Sequence, residues 1–164
     1  MGSQLTFHAQ DEADTCRLGE ALAQALPSGT VVGLIGPLGA GKTRLVQAVA
    51  QALGVDVRDV VSPTFVMIRE YQGQRPVYHF DAYRLSDLDE FFELGPGEYF
   101  HGAGLTFVEW ADRVTEALPD QRLEIEITVT GESTREMQLR AWGTPLESAL
   151  HAIAELLADR RPDA

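Results

Sequence analysis

The 164-residue sequence contains no asparagine, one lysine and one cysteine, and no apolar run near the roughly 20 residues that a membrane span needs. Each shortage excludes something. A single cysteine, Cys16, cannot form a disulfide within the chain, and a reducing cytoplasm is the expected setting. Position 16 falls on the first helical pattern, where a small buried thiol is the ordinary reading and a reactive one the exception. The opening "MGSQLTFHAQDEAD" has no basic start followed by an apolar core, so it does not read as a secretory signal. The formal net charge of −12 sets the chain against a phosphate backbone. Direct high-affinity nucleic-acid binding is therefore not expected, and neither is a membrane partner. The length suits one domain, residues 1–164, and 45% hydrophobic content suffices for a sizeable core.

The lysine shortage is the most telling. Twelve arginines stand against Lys42, and Lys42 lies inside "GPLGAGKTR", Gly36 to Arg44. Whatever bias replaced lysine elsewhere spared the position where a compact point charge meets phosphate oxygens. Gly36-x-x-x-x-Gly41-Lys42-Thr43 fits the P-loop pattern in its required setting, with the apolar "TVVGLI" before it and the helical "LVQAVAQALG" after it. The glycines let successive backbone N–H groups turn onto phosphates, and the helix N-terminus adds partial positive charge. The cradle comprises Gly36, Leu38, Gly39, Ala40, Gly41, Lys42, Thr43 and Arg44. Lys42 would reach the β- and γ-phosphates, and the Thr43 hydroxyl would hold Mg²⁺.

A P-loop enzyme also needs a carboxylate at a strand end to hold metal and polarise water. Asp81 follows "VYHF" and Glu109 follows "LTFV", so both are expected at the sheet edge that carries the loop. Either alone reads equally well as a helix cap or a solvated strand end; two at matching places favour the site. The absence of asparagine excludes the Asn-Lys-x-Asp guanine-reading motif, which makes ATP the expected nucleotide.

The remaining pattern frames these residues. "DEADTCRLGEALAQAL" puts Leu18, Leu22, Ala25 and Leu26 on one helical face, with Asp11 or Asp14 as cap. A helix is expected from about Thr43 to Leu53, and Ser86 with Asp89 reads as a loose capping box for "SDLDEFFELG". "LEIEITVT" and "TREMQLRAW" alternate across a "GES" turn as an antiparallel hairpin. A last helix, about 144–160, should open on Thr144 as cap and Pro145 at the first position. The fold class is α/β, a P-loop NTPase-like three-layer fold with a mostly parallel sheet and a late antiparallel hairpin.

"GPLGAGKT", "SPTF", "HFDAYRL", "ELGPGEYF" and "VEW" occur in the order and spacing of the TsaE family, formerly YjeE, and the chain resembles that family from about residue 12 to about residue 140. The resemblance implies a small bacterial ATPase needed for threonylcarbamoyl modification of adenosine 37 in tRNA. It implies that Thr43 and Glu109 bind Mg²⁺, with Asp81 beside them as a catalytic or metal-orienting carboxylate of the His79-x-Asp81-x-Tyr83-Arg84 signature. It also implies a nucleotide pocket completed by Asp11, Glu12 and Arg135. Pro37 departs from the aspartate usual in the family; a backbone cradle does not need that side chain, so ATP binding should survive. Thr64, within Ser62–Phe65, is either a γ-phosphate sensor or part of a plain Pro63 turn. His79 reads as a hydrogen-bonded structural histidine. Trp110 either covers the nucleotide or a partner, or joins the core. Arg84 and Arg113 would pair with phosphate, with a partner carboxylate, or in surface salt bridges.

Three functions follow from these expectations. One is a slow Mg²⁺-dependent ATPase acting as a nucleotide-dependent partner of the TsaD–TsaB transferase. Another is a free-standing small-molecule kinase, which should carry an Arg-rich lid; "FFELGPGEYF" is short, acidic and aromatic instead. The third is a nucleotide-dependent binding module without useful turnover.

Overall fold

A computed structural model describes residues 2–56, 58 and 68–159. Seven strands form one sheet: β1 (Ser3–Ala9), β2 (Val31–Ile35), β3 (Ile68–Gln72), β4 (Pro76–Asp81), β5 (Leu105–Glu109), β6 (Arg122–Val129) and β7 (Arg135–Trp142). Their spatial order is β1-β7-β6-β2-β5-β4-β3. The central β6, β2, β5 and β4 run parallel, while β7, β1 and β3 join through antiparallel pairings. The α/β class and the mostly parallel centre are therefore as the sequence indicates.

Burial on both sides of the sheet explains the near-continuous apolar runs of β2 and β5. One face packs α1 (Glu12–Ala25), α2 (Lys42–Ala52) and α5 (Thr144–Asp159) over Leu18, Leu22, Leu45, Val49, Ile125 and Ile153. The other packs α3 (Leu88–Glu93), α4 (Pro96–Phe100) and 3₁₀ turns at Ala111–Arg113 and Thr115–Ala117 over Phe80, Phe91, Val108 and Leu118. Strand alternation then decides where the chemistry goes. Val77, Leu105 and Phe107 belong to the α1–α2 side and Phe80 and Val108 to the other. His79, Asp81 and Glu109 share the period of the first group, so they lie on the face that α2 covers.

Two capping expectations are corrected, one open alternative is decided and one strand is added. The added strand is β1, Ser3–Ala9, which pairs along its whole length with β7. Asp11 caps α1, its side chain accepting from Asp14 N at 3.0 Å, which selects it over Asp14. The α3 cap is Asp87 and not Ser86: Asp87 accepts from Glu90 N, and Ser86 instead bonds the Glu90 carboxylate through its backbone N–H and its hydroxyl. α5 already includes Thr144, because the Gly143 carbonyl accepts the first helical bond from Glu147 N. Each shift is a matter of which neighbouring polar group reaches the orphan amides first.

Candidate nucleotide and metal site

The chain leaves β2 at Ile35, turns through the Gly-rich loop and enters α2 at Lys42. Gly41 is the N-cap at φ 109°, a conformation that a side chain would strain, and no side chain caps the helix. The first-turn amides of α2 are thus left for an outside acceptor, which is what phosphate oxygens provide. Ala40 is buried and Leu38 is 80% exposed at the loop tip.

Lys42 is nearly fully buried for so polar a side chain. Its Nζ donates to the carbonyls of Gly36 and, at 3.2 Å, Pro37, and sits 3.6 Å from the ring centre of Trp110. Burial lowers the ammonium pKa from its usual value, while Glu109, Asp112 and Asp81 act to raise it. The loop carbonyls and the aromatic face therefore hold the lysine at the spot from which it would meet a phosphate.

Asp81 and Glu109 are direct partners in the β4–β5 register. Both are buried. The Thr43 hydroxyl donates to Glu109 Oε2 at 2.8 Å, joining the first turn of α2 to the end of β5. His79, fully buried, contacts the same oxygen through Nε2. Asp81 Oδ1 accepts from the Tyr83 backbone N–H at 2.8 Å. Burial raises the Asp81 pKa above the carboxylate norm and Glu109 pushes the same way; the Tyr83 bond, His79 and Arg84 act against them. A cleft of about 430 Å³ is lined by the loop together with Thr43, Asp81, Glu109, Tyr83, Arg84 and Trp110.

A smaller cleft of about 270 Å³ opens on the other side of Gly39–Gly41, lined by Asp11, Glu12, Arg44 and Arg135 among others. Arg135 Nε donates to the Ala40 carbonyl at 2.9 Å, tying β7 to the loop. Arg44 lies 3.7 Å from the Glu12 carboxylate and donates to Cys16 Sγ at 3.1 Å, so the half-buried thiol is engaged by an arginine. Glu12 and Arg135, far apart in sequence, thus meet at the loop, while the Asp11 carboxylate is engaged as a cap.

Other candidates resolve differently. Trp110 packs against the core around Phe80 and Val108, as the core reading expects, and its ring face lies over Lys42 Nζ. It is also the non-glycine residue with positive φ, 61°, among the described residues. Arg113 donates to the Tyr83 carbonyl at 2.9 Å with its guanidinium 5.1 Å from the Tyr83 ring. Its guanidinium is thus held against Tyr83 and, among the described residues, not by a surface salt bridge, the plainest of the three roles expected for it. Ser62–Phe65 lies outside the described residues. Sequence reasoning gave no role to Tyr83, whose ring lies 4.9 Å from that of Trp110 in the cleft wall. Its position in the His-x-Asp-x-Tyr-Arg run was the available signal.

Comparison with known proteins shows the family and the fold. The sequence profile of the family described as threonylcarbamoyl adenosine biosynthesis protein TsaE matches residues 9–137. The tRNA threonylcarbamoyladenosine biosynthesis protein TsaE of Bacillus subtilis (strain 168) is 41% identical over 145 residues, covering 88% of this chain and 90% of the relative. The protein of the same name from Synechocystis is 43% identical, covering 73% and 77%. The crystal structure of Bacillus subtilis YdiB superposes with a TM-score of 0.82 at 35% identity, covering 94% of this chain and 97% of the other. A profile spanning most of the chain, relatives matched over most of their length and a shared fold leave one assignment: the chain belongs to the TsaE family of threonylcarbamoyl adenosine biosynthesis proteins.

Proposed function

We propose that this chain is a Mg²⁺-dependent ATPase that takes part in threonylcarbamoyl modification of adenosine 37 in tRNA, with its nucleotide state governing docking onto the TsaD–TsaB transferase. The observation that carries the proposal is the 2.8 Å bond from the Thr43 hydroxyl to Glu109 beside the P-loop, with Asp81 in register next to it. By giving its hydrogen to Glu109, the hydroxyl keeps its lone pairs for a cation. Mg²⁺ is typically held by one or two carboxylates, substrate phosphates and several waters, not by an all-protein cage, and this donor set fits that habit. Bound there, the ion would neutralise phosphate charge and polarise an attacking water.

The chain's own groups divide the remaining work. The free amides at the start of α2 cradle the phosphates, and Lys42 exchanges its loop carbonyls for phosphate oxygens. Asp81, with its carboxyl biased toward the proton-bearing form, is suited to orient or accept a proton from water at the sheet edge. Glu12, Arg44 and Arg135, which line the smaller cleft beside the loop, would close the site around the base. The test is hydrolysis of ATP with and without Mg²⁺, alone and with purified TsaD–TsaB. Mg²⁺-dependent release of phosphate, raised by the partner, is expected. Its absence under all four conditions would overturn the proposal.

A further inference from the structure

Behind the site lies a side chain to which neither loop nor metal chemistry assigns a task. His79 is fully buried, its Nε2 against Glu109 Oε2, and its Nδ1 is buried with no hydrogen-bond partner among the described residues. A buried ring nitrogen left unpaired carries a cost, and a purely structural histidine would be expected to satisfy both nitrogens or to be replaced by an apolar residue. What the ring does engage is one oxygen of the carboxylate that also receives the Thr43 hydroxyl. A carboxylate oxygen only accepts, so the facing Nε2 carries the hydrogen.

We infer that His79 is a positioning residue for the metal site: it pins Glu109 Oε2 from the buried side, so that Glu109 aligns the Thr43 hydroxyl and turns its other oxygen to the cleft. The chain His79 N–H to Glu109 to Thr43 O–H spans three elements, β4, β5 and α2, and fixes their ends to one another at a single oxygen. A Glu side chain has three rotatable bonds, and without a second contact the hydroxyl alone would have to hold it. Partners of metal ligands typically change metal affinity by about 10–100-fold when removed. This inference rests on the Mg²⁺-ATP reading above.

The test compares two amides that differ by one methylene. In His79→Gln the side-chain amide reaches the place of Nε2; in His79→Asn it reaches only the place of Nδ1. Affinity for a fluorescent ATP analogue is measured across a Mg²⁺ series and in EDTA. His79→Asn should raise the Mg²⁺ concentration for half-maximal binding about tenfold or more. His79→Gln should stay near the parent, and EDTA affinities should agree within about twofold. His79→Leu, which buries no polar group, should behave like the asparagine variant and serves in its place if that variant does not fold. Parental Mg²⁺ dependence in the asparagine or leucine variant would overturn the role of His79 alone. Binding by the parent that ignores Mg²⁺ would overturn the metal reading beneath it.

Discussion

Lys42 is the residue on which the proposed nucleotide binding turns. Its Nζ is already desolvated and held beside the loop, so little reorganisation precedes contact with phosphate. A charge-assisted contact of this kind contributes about 1.5–3 kcal/mol each, and phosphate offers more than one oxygen. Lys42→Ala should weaken a fluorescent ATP analogue by about a hundredfold or beyond detection; affinity like the parent's would remove the P-loop assignment. Asp81 makes a prediction with a sign. Its folded-state carboxyl titrates above the ordinary 3.8, chiefly through burial. Between those two values the folded chain holds more protons than the unfolded one, so stability falls as pH rises through that window. Asp81→Asn copies the protonated form and keeps an acceptor for Tyr83 N–H. The variant should melt higher than the parent at pH 7, with the gap closing as pH falls through the raised folded-state value toward 3.8, while ATP turnover falls about a hundredfold or more. A melting difference that does not change between pH 3 and pH 8 would contradict the burial account.

At the scale of elements, the P-loop is held by the helix it opens, and that helix is held by α1. Gly19 sits where the two cross: a Cβ there would lie 2.5 Å from Ala48 Cβ and 2.9 Å from the Ala48 backbone. Gly19→Ala must therefore push α2, at about 1–3 kcal/mol for overpacking. Its Tm should fall by several degrees, with weaker ATP binding because the loop moves with α2. A variant with parental Tm would mean the crossing is looser than these distances. Much of this level is legible in the sequence. The period of Leu18, Leu22 and Leu26, the apolar run of β2 and the strand ends at Asp81 and Glu109 each announce their element from local pattern alone. β1 does carry such a pattern, Leu5, Phe7 and Ala9 alternating with polar residues. Its edge position leaves that alternation only half-buried, and its partner lies some 130 residues away, so local spacing does not say what it pairs with. The same reason hides the meeting of Glu12 with Arg44 and of Arg135 with Ala40. The Trp110 face over Lys42 depends on a left-handed backbone at a non-glycine residue, which no propensity predicts.

For the whole molecule, the question is how a chain of net charge −12 serves tRNA modification. Its one lysine is buried at the loop, so a phosphate-tracking surface would have to be built from arginines acting against the overall field. Several of those are already engaged: Arg75 bonds the last carbonyls of α1, Arg135 the loop, Arg113 the Tyr83 backbone. Contact with the pathway through a protein partner reconciles the charge with the family, and the cleft mouth, where Leu38 and Tyr83 are exposed beside Asp81, would sense both nucleotide and partner. A nucleotide shifts docking only if it favours one state of the molecule. ATP and ADP differ by the phosphate that Lys42, Thr43 and the paired carboxylates would meet, so they should give TsaD–TsaB affinities about 5–150-fold apart. Calorimetric titration against TsaD–TsaB with ATP, ADP and no nucleotide measures that ratio, and a gel shift with the isolated chain measures tRNA binding directly. Partner affinity indifferent to nucleotide would refute the switch, and tight tRNA binding by the chain alone would show that its charge does not keep it from the nucleic acid.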